Sequence, residues 1–170
     1  LFIEMCEKSN GEVISINVSD YSNLFKNNKW KFLNCRDDDF KFIEEKIKNK
    51  KFDIICLDTI HTKNHIKKIL EYYYKYLIVG GIFLIDGISH LPYLKSNYRD
   101  NFYCEINNKE TFERLIKIYN NNFDNFDIFF TFISSGMCRI VKKQNQLNQP
   151  KKIISREKSF KNIFRKIIKN

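Results

Sequence analysis

Between Phe52 and Asp86 the chain passes from a short apolar run ending in Asp58 (FDIICLD) to an amphipathic stretch (KNHIKKILEYYYKYL). It then crosses Gly80-Gly81, which reads as a turn, into a second apolar run ending in Asp86 (IFLID). In the middle stretch Ile66, Ile69, Leu70, Tyr73 and Leu77 recur at the intervals of one helix face. The flanking runs are too short for helices and rich in β-branched residues, so they read as strands. Two strands joined through such a helix lie parallel, and the connection is right-handed. Both strands then finish at one rim of the sheet, each presenting a carboxylate. Ligands of open α/β sheets sit at that rim.

The rest of the chain continues the alternation. Residues 1–8 (LFIEMCEK) read as the last turns of a helix, stopped by Asn10-Gly11. Glu12–Val18 (EVISINV) reads as a buried strand, residues 20–27 as a turn or short helix, and Trp30–Asn34 (WKFLN) as a further strand. An acid of the cluster Asp37, Asp38, Asp39 can cap a helix that turns Phe40, Ile43 and Ile47 inward. After Asp86 a long loop is expected, from Gly87 to about Ile106, holding His90, Pro92, Tyr93 and Tyr98; loops of that length are more often functional than filler. Asn107 and Glu110 have the form of a capping box, opening a helix that buries Phe112, Leu115, Ile116 and Tyr119. Phe126–Ile133 and Met137–Val141, joined by Ser134-Ser135-Gly136, form an antiparallel hairpin. The fold class is therefore α/β: a Rossmann-like sheet, mostly parallel, with an antiparallel hairpin at its C-terminal end.

Charge divides the chain into an α/β domain over residues 1–143 and a basic tail over 144–170. Of the total net charge of +10, residues 151–170 carry +7, eight basic side chains against Glu157. The chain lacks alanine and is rich in Lys, Asn, Ile, Phe and Tyr, the amino acids of AT-rich codons, which accounts for much of its basicity. In the tail, Phe160, Ile163, Phe164, Ile167 and Ile168 recur at helical spacing among lysines. That pattern suits a loosely docked helix, a membrane-surface helix or a partner-binding one, and its charge favours weak contact with an acidic surface. No apolar run approaches the roughly 20 residues of a membrane span, and there is no signal-peptide pattern. The five cysteines, never spaced CxxC, read as reduced thiols of a cytoplasmic protein, with neither zinc nor a disulfide framework. Walker, HExxH and GxSxG motifs are absent.

The order of elements resembles that of the class I S-adenosylmethionine-dependent methyltransferases. At residue level the likeness is to the group in which a strand ending in aspartate precedes a histidine, then a helix, Gly-Gly and a strand ending in acid. Here these are Phe52–Asp58, His61, Gly80-Gly81 and Asp86, with Gly11–Val18 similar to the family's second strand and Phe126–Lys142 to its terminal hairpin. The resemblance spans residues 1–143 and implies S-adenosylmethionine as cofactor, with Asn17, Asp37 and Asp58 binding it. The family's first strand and Gly-rich loop would lie before Leu1, so the chain is expected to be an N-terminally truncated fragment. In the family's strand order that missing strand falls between Glu12–Val18 and Phe52–Leu57, so the sheet should lack its middle. Three positions depart from the family pattern. Asn17 stands where an acid usually takes the ribose hydroxyls, Cys35-Arg36 precedes Asp37 where Gly-Asp is common, and Gly87 replaces an acid or amide beside the second aspartate.

Methyl transfer from a sulfonium requires donor and acceptor to be aligned and water excluded. An oxygen acceptor must also lose a proton, which calls for a base or a metal. Asp58 and Asp86 are hard oxygen ligands suited to Mg2+ or calcium; the alternative is that they cap loops or helices. His61, together with Asp58, is the candidate catalytic pair: the histidine either accepts a proton or orients the aspartate, the alternative being a loop histidine bonded to backbone. His65 is expected to be exposed, and His90 is a weaker base candidate. Tyr93 and Tyr98 could line an acceptor pocket. The leading expectation is an O-methyltransferase acting on a small molecule or sugar. Two others stand beside it: a non-catalytic, degenerate Rossmann-like binding or scaffold protein, and a nucleic-acid binder using the basic tail.

Overall fold

A computed structural model describes residues 2–90, 102–152, 156 and 159–168. Its elements follow the sequence pattern closely: α1 (Phe2–Ser9), β1 (Val13–Asn17), β2 (Trp30–Asn34), α2 (Phe40–Ile47), β3 (Phe52–Leu57), α3 (Lys63–Tyr73), β4 (Leu77–Asp86), α4 (Phe102–Tyr119), β5 (Phe126–Thr131), β6 (Met137–Lys142) and α5 (Phe160–Ile168). Asn10 adopts a positive φ of 55° where α1 stops. Asp39 caps α2, its carboxylate accepting from the Phe42 amide.

β3 and β4 pair in parallel, β4 and β6 antiparallel, and β5 and β6 antiparallel, giving the order β3-β4-β6-β5. Register sorts the side chains by face. Leu57, Phe83, Ile85, Cys138 and Ile140 share one face and are buried beneath Ile66, Ile69 and Leu70 of α3 and Leu115 and Ile118 of α4. Each large apolar side chain so buried stabilises the fold by about 1.5–3 kcal/mol. The opposite face carries Ile54, Cys56, Phe129 and Arg139, all exposed, with the Arg139 guanidinium stacked 4.4 Å over the Phe129 ring. All-parallel sheets are usually covered on both faces; this one, with two antiparallel pairings beside one parallel, is covered on one among the described residues.

β1 and β2 form a separate parallel pair. Among the described residues no strand pairs with the second edge of β1 or of β3. The sheet is thus divided where the family's first strand is expected. Helix α2 bridges the division. Its Ile43 and Ile47 join the main core, the Tyr72 hydroxyl donates to Phe40 O, and the Tyr76 hydroxyl donates to Glu44 Oε1.

Two sequence expectations are corrected. Gly80-Gly81 is not a turn ahead of a strand but a bulge inside β4: the pairing steps from Phe52–Leu77 to Ile54–Ile82, and Gly80 takes φ +84°. Asn107 and Glu110 are not a cap, because α4 begins at Phe102 and both lie within it. Neighbouring Asn108 is tolerated there because its buried carboxamide donates to Ser89 O, while Glu110 pairs with Lys63. Beyond residue 143 the chain is first held against the body by hydrogen bonds. The Tyr74 hydroxyl donates to Gln144 O, and Asn121 and Asn122 donate to Gln149 O and Asn148 O. Lys142, ending β6, is buried, and its ammonium donates to the carbonyls of Tyr74 and Leu77.

Candidate active site

The site lies at the C-terminal rim of the parallel strands. Asp58 follows β3 directly and Asp86 ends β4, so parallel pairing alone brings both carboxylates to one edge. His61 lies on the short connection from β3 into α3, with its Nε2 3.6 Å from Asp58 Oδ1. One ligand atom from each of Asp58, His61 and Asp86 lies within 4.8 Å of the others. Two carboxylate oxygens and one imidazole nitrogen at that spacing fit a divalent cation.

Two neighbours flank this group; the sequence placed Gly87 beside the second aspartate, but neither its contact with His61 nor the role of Ser135 was visible there. Gly87 has a φ of +74°, and a Cβ there would fall within 3.0 Å of the His61 ring. The space a side chain at residue 87 would occupy is filled by the His61 imidazole. His61 Nδ1 is shielded from solvent and has no hydrogen-bond partner. On the other side Ser135, in the β5–β6 turn, donates its hydroxyl to Asp86 Oδ1 at 2.7 Å. Gly87 and Ser89 amides donate to the carbonyls of Gly136 and Ser135, which ties the hairpin turn to the end of β4.

A second cluster sits beside it. Asp37, after β2, accepts through Oδ2 from the Thr59 hydroxyl at 2.7 Å and contacts His65 Nε2 at 2.8 Å, while its backbone carbonyl accepts from Tyr73. His65 is therefore not an exposed histidine; its side chain is 9% exposed. The helical spacing that put it one turn beyond His61 turns it toward the end of β2, a contact that a linear reading does not display. Both partners use Oδ2, so Asp37 is held in place through one carboxylate oxygen. Asn17, the remaining cofactor candidate, ends β1 exposed, its side-chain oxygen accepting from the Ser19 amide. His90 packs against Phe112, tilted, and edge-to-face against Phe132, and its Nδ1 is buried without a partner. Tyr93 and Tyr98 lie outside the described residues. Cys6, Cys35, Cys56 and Cys138 are free thiols.

Strand order, crossover helices and terminal hairpin give a Rossmann-like α/β fold of the kind seen in solved class I S-adenosylmethionine-dependent methyltransferases. The chain is similar to the SAH-bound methyltransferase PaMTH1 of Podospora anserina, at 14% identity and a TM-score of 0.64, over 84% of this chain and 65% of that one. It is also similar to the MycE methyltransferase of the mycinamycin biosynthetic pathway in complex with Mg and SAH, at 14% identity and TM-score 0.55, over 84% of this chain and 39% of MycE. A third likeness is to the fibrillarin pre-rRNA processing protein of Methanococcus jannaschii, at 14% identity and TM-score 0.50, over 80% and 58%. The chain thus spans less than two thirds of the length of each of these three. No protein-family model and no curated protein matches the sequence.

Proposed function

We propose that this chain is part of an S-adenosylmethionine-dependent O-methyltransferase whose acceptor is a hydroxyl of a small molecule or sugar. The observation that carries the reading is the meeting of Asp58, His61 and Asp86 at adjacent parallel strand ends. S-adenosylmethionine, when bound, supplies the methyl group; Asn17, Asp37 and Asp58 are the residues at the rim that would hold it. A divalent cation such as Mg2+ would be held by Asp58 and Asp86 and would supply polarisation of the acceptor oxygen.

His61 takes the acceptor proton at Nε2, the nitrogen that faces Asp58. The ring packs against Gly87, whose lack of a Cβ leaves room for it, with Nδ1 shielded from solvent. Ser135 keeps Asp86 turned into the site. Preorganised charge of this kind lowers the barrier because it needs no rearrangement as the proton leaves.

The uncharged Asn17 favours a second reading, a binding or scaffold protein that has lost catalysis, because a carboxamide accepts hydrogen bonds more weakly than a carboxylate. Calorimetric titration of S-adenosylmethionine into the product of the full reading frame separates the two. Saturable binding, with methylation of a catechol or sugar probe abolished by His61→Ala, supports the enzyme. Binding without turnover supports the scaffold, and no binding at all ends both.

A further inference from the structure

Helix α5 divides cleanly into two faces. Phe160, Ile163, Phe164, Ile167 and Ile168 follow the i, i+3, i+4, i+7, i+8 spacing of one stripe, while positions 161, 162, 165 and 166 are Lys, Asn, Arg and Lys. All five apolar side chains are uncovered, with exposures from 46% to 82%. Such residues belong in a core or against something else. The preceding strap is pinned: Asn121 and Asn122 hold Asn148 and Gln149, and the Lys151 amide donates to Lys117 O at the end of α4. The helix is therefore tethered to the body through a basic linker while its apolar stripe faces outward.

Charge decides what covers the stripe. Residues 151–170 carry +7, and Lys161 and Arg165 flank the apolar residues along the helix. A second copy would bring +7 against +7. An anionic lipid interface accepts an apolar stripe without requiring a complementary groove, and its headgroups attract the flanking cations. We propose that α5 is a peripheral anchor that lies in the interface of an anionic bilayer, with its Phe and Ile side chains among the acyl chains and its basic residues at the headgroups. This rests on the tail alone and stands or falls independently of the methyl-transfer reading.

Vesicle flotation with the full chain tests it, using phosphatidylcholine vesicles with and without about 30% phosphatidylglycerol. The anchor predicts flotation with the anionic vesicles only, weakened about tenfold by Phe164→Asp with Ile167→Asp and by Lys161→Glu with Arg165→Glu, and weakened by raising salt to about 0.5 M. Because α5 is exposed, these variants should retain the wild-type melting curve. Equal flotation with neutral vesicles, or no flotation, overturns the proposal. So does unchanged flotation of the aspartate variant, which would mean adsorption by charge alone. Sedimentation velocity covers the alternative occupant: self-association abolished by the aspartate variant, without vesicle binding, assigns the stripe to a second copy.

Discussion

The imidazole of His61 fills the space that a side chain on residue 87 would need. Gly87 therefore serves two ends at once, adopting a left-handed conformation after β4 and leaving room for the ring. Replacing it with alanine introduces a clash at His61 and strain at a positive φ, which together should destabilise the protein by about 1–3 kcal/mol. His61 should also be displaced, visible as a shifted imidazole resonance in NMR spectra. An unchanged His61 signal in Gly87→Ala would contradict the packing described.

Ser135 orients Asp86 without touching a substrate, so it is a positioning residue. Ser135→Ala should weaken divalent-cation affinity by about tenfold, the scale of losing one hydrogen bond to a charged ligand. Asp86→Asn and Asp58→Asn should each weaken it far more, since each removes a charged ligand. Calorimetric titration with Mg2+ and Mn2+ on all three variants gives the order; equal affinities across the set would dismiss a metal role for this rim.

Asp37 and His65 join the end of β2 to the start of α3, across the division in the sheet. A double-mutant cycle with Asp37→Ala and His65→Ala should return a coupling of about 1–2 kcal/mol, read from denaturant midpoints. Additive losses would show the contact to be incidental.

Lys142 is 1% exposed and donates to two backbone carbonyls. Lys142→Met leaves those acceptors unsatisfied and should cost about 1–3 kcal/mol of stability. Burial, with a smaller contribution from Lys51, holds the ammonium below its ordinary pKa of 10.5. Between that lowered value and 10.5 the unfolded chain binds more protons than the folded one, so this residue's contribution to stability rises with pH. Burial raises the Tyr72, Tyr73 and Tyr74 hydroxyls, which works in the opposite direction above pH 10. The effect of Lys142 is therefore read as wild type minus Lys142→Met, in urea melts across the alkaline range. A difference that shrinks as pH rises would refute the assignment.

Burial also pushes the Cys138 thiol well above its ordinary range, and the residue is fully buried between β4 and β5. Maleimide labelling at neutral pH should modify Cys56, which is exposed on β3, and reach Cys138 only after unfolding. Mass spectrometry of the labelled peptides checks the order.

The linear sequence determined the strand–helix–strand unit, the shared rim of Asp58 and Asp86, the hairpin and the amphipathic stripe of α5. Each of these follows from periodicity and chain direction, which are local properties: a run of alternating or i, i+4 residues fixes its own element, and parallel pairing fixes which end a terminal acid occupies. What the tertiary structure decided are contacts between residues 26 to 68 positions apart: Gly87 against His61, Ser135 on Asp86, His65 on Asp37, and Lys142 on the carbonyls of Tyr74 and Leu77. Nothing in the spacing of such pairs marks them, because their separation depends on how far intervening elements travel before returning. The start of α4 belongs with them: Asn107 and Asn108 favour a cap by local preference, and the buried bond from Asn108 to Ser89 outweighs that preference once the sheet is assembled.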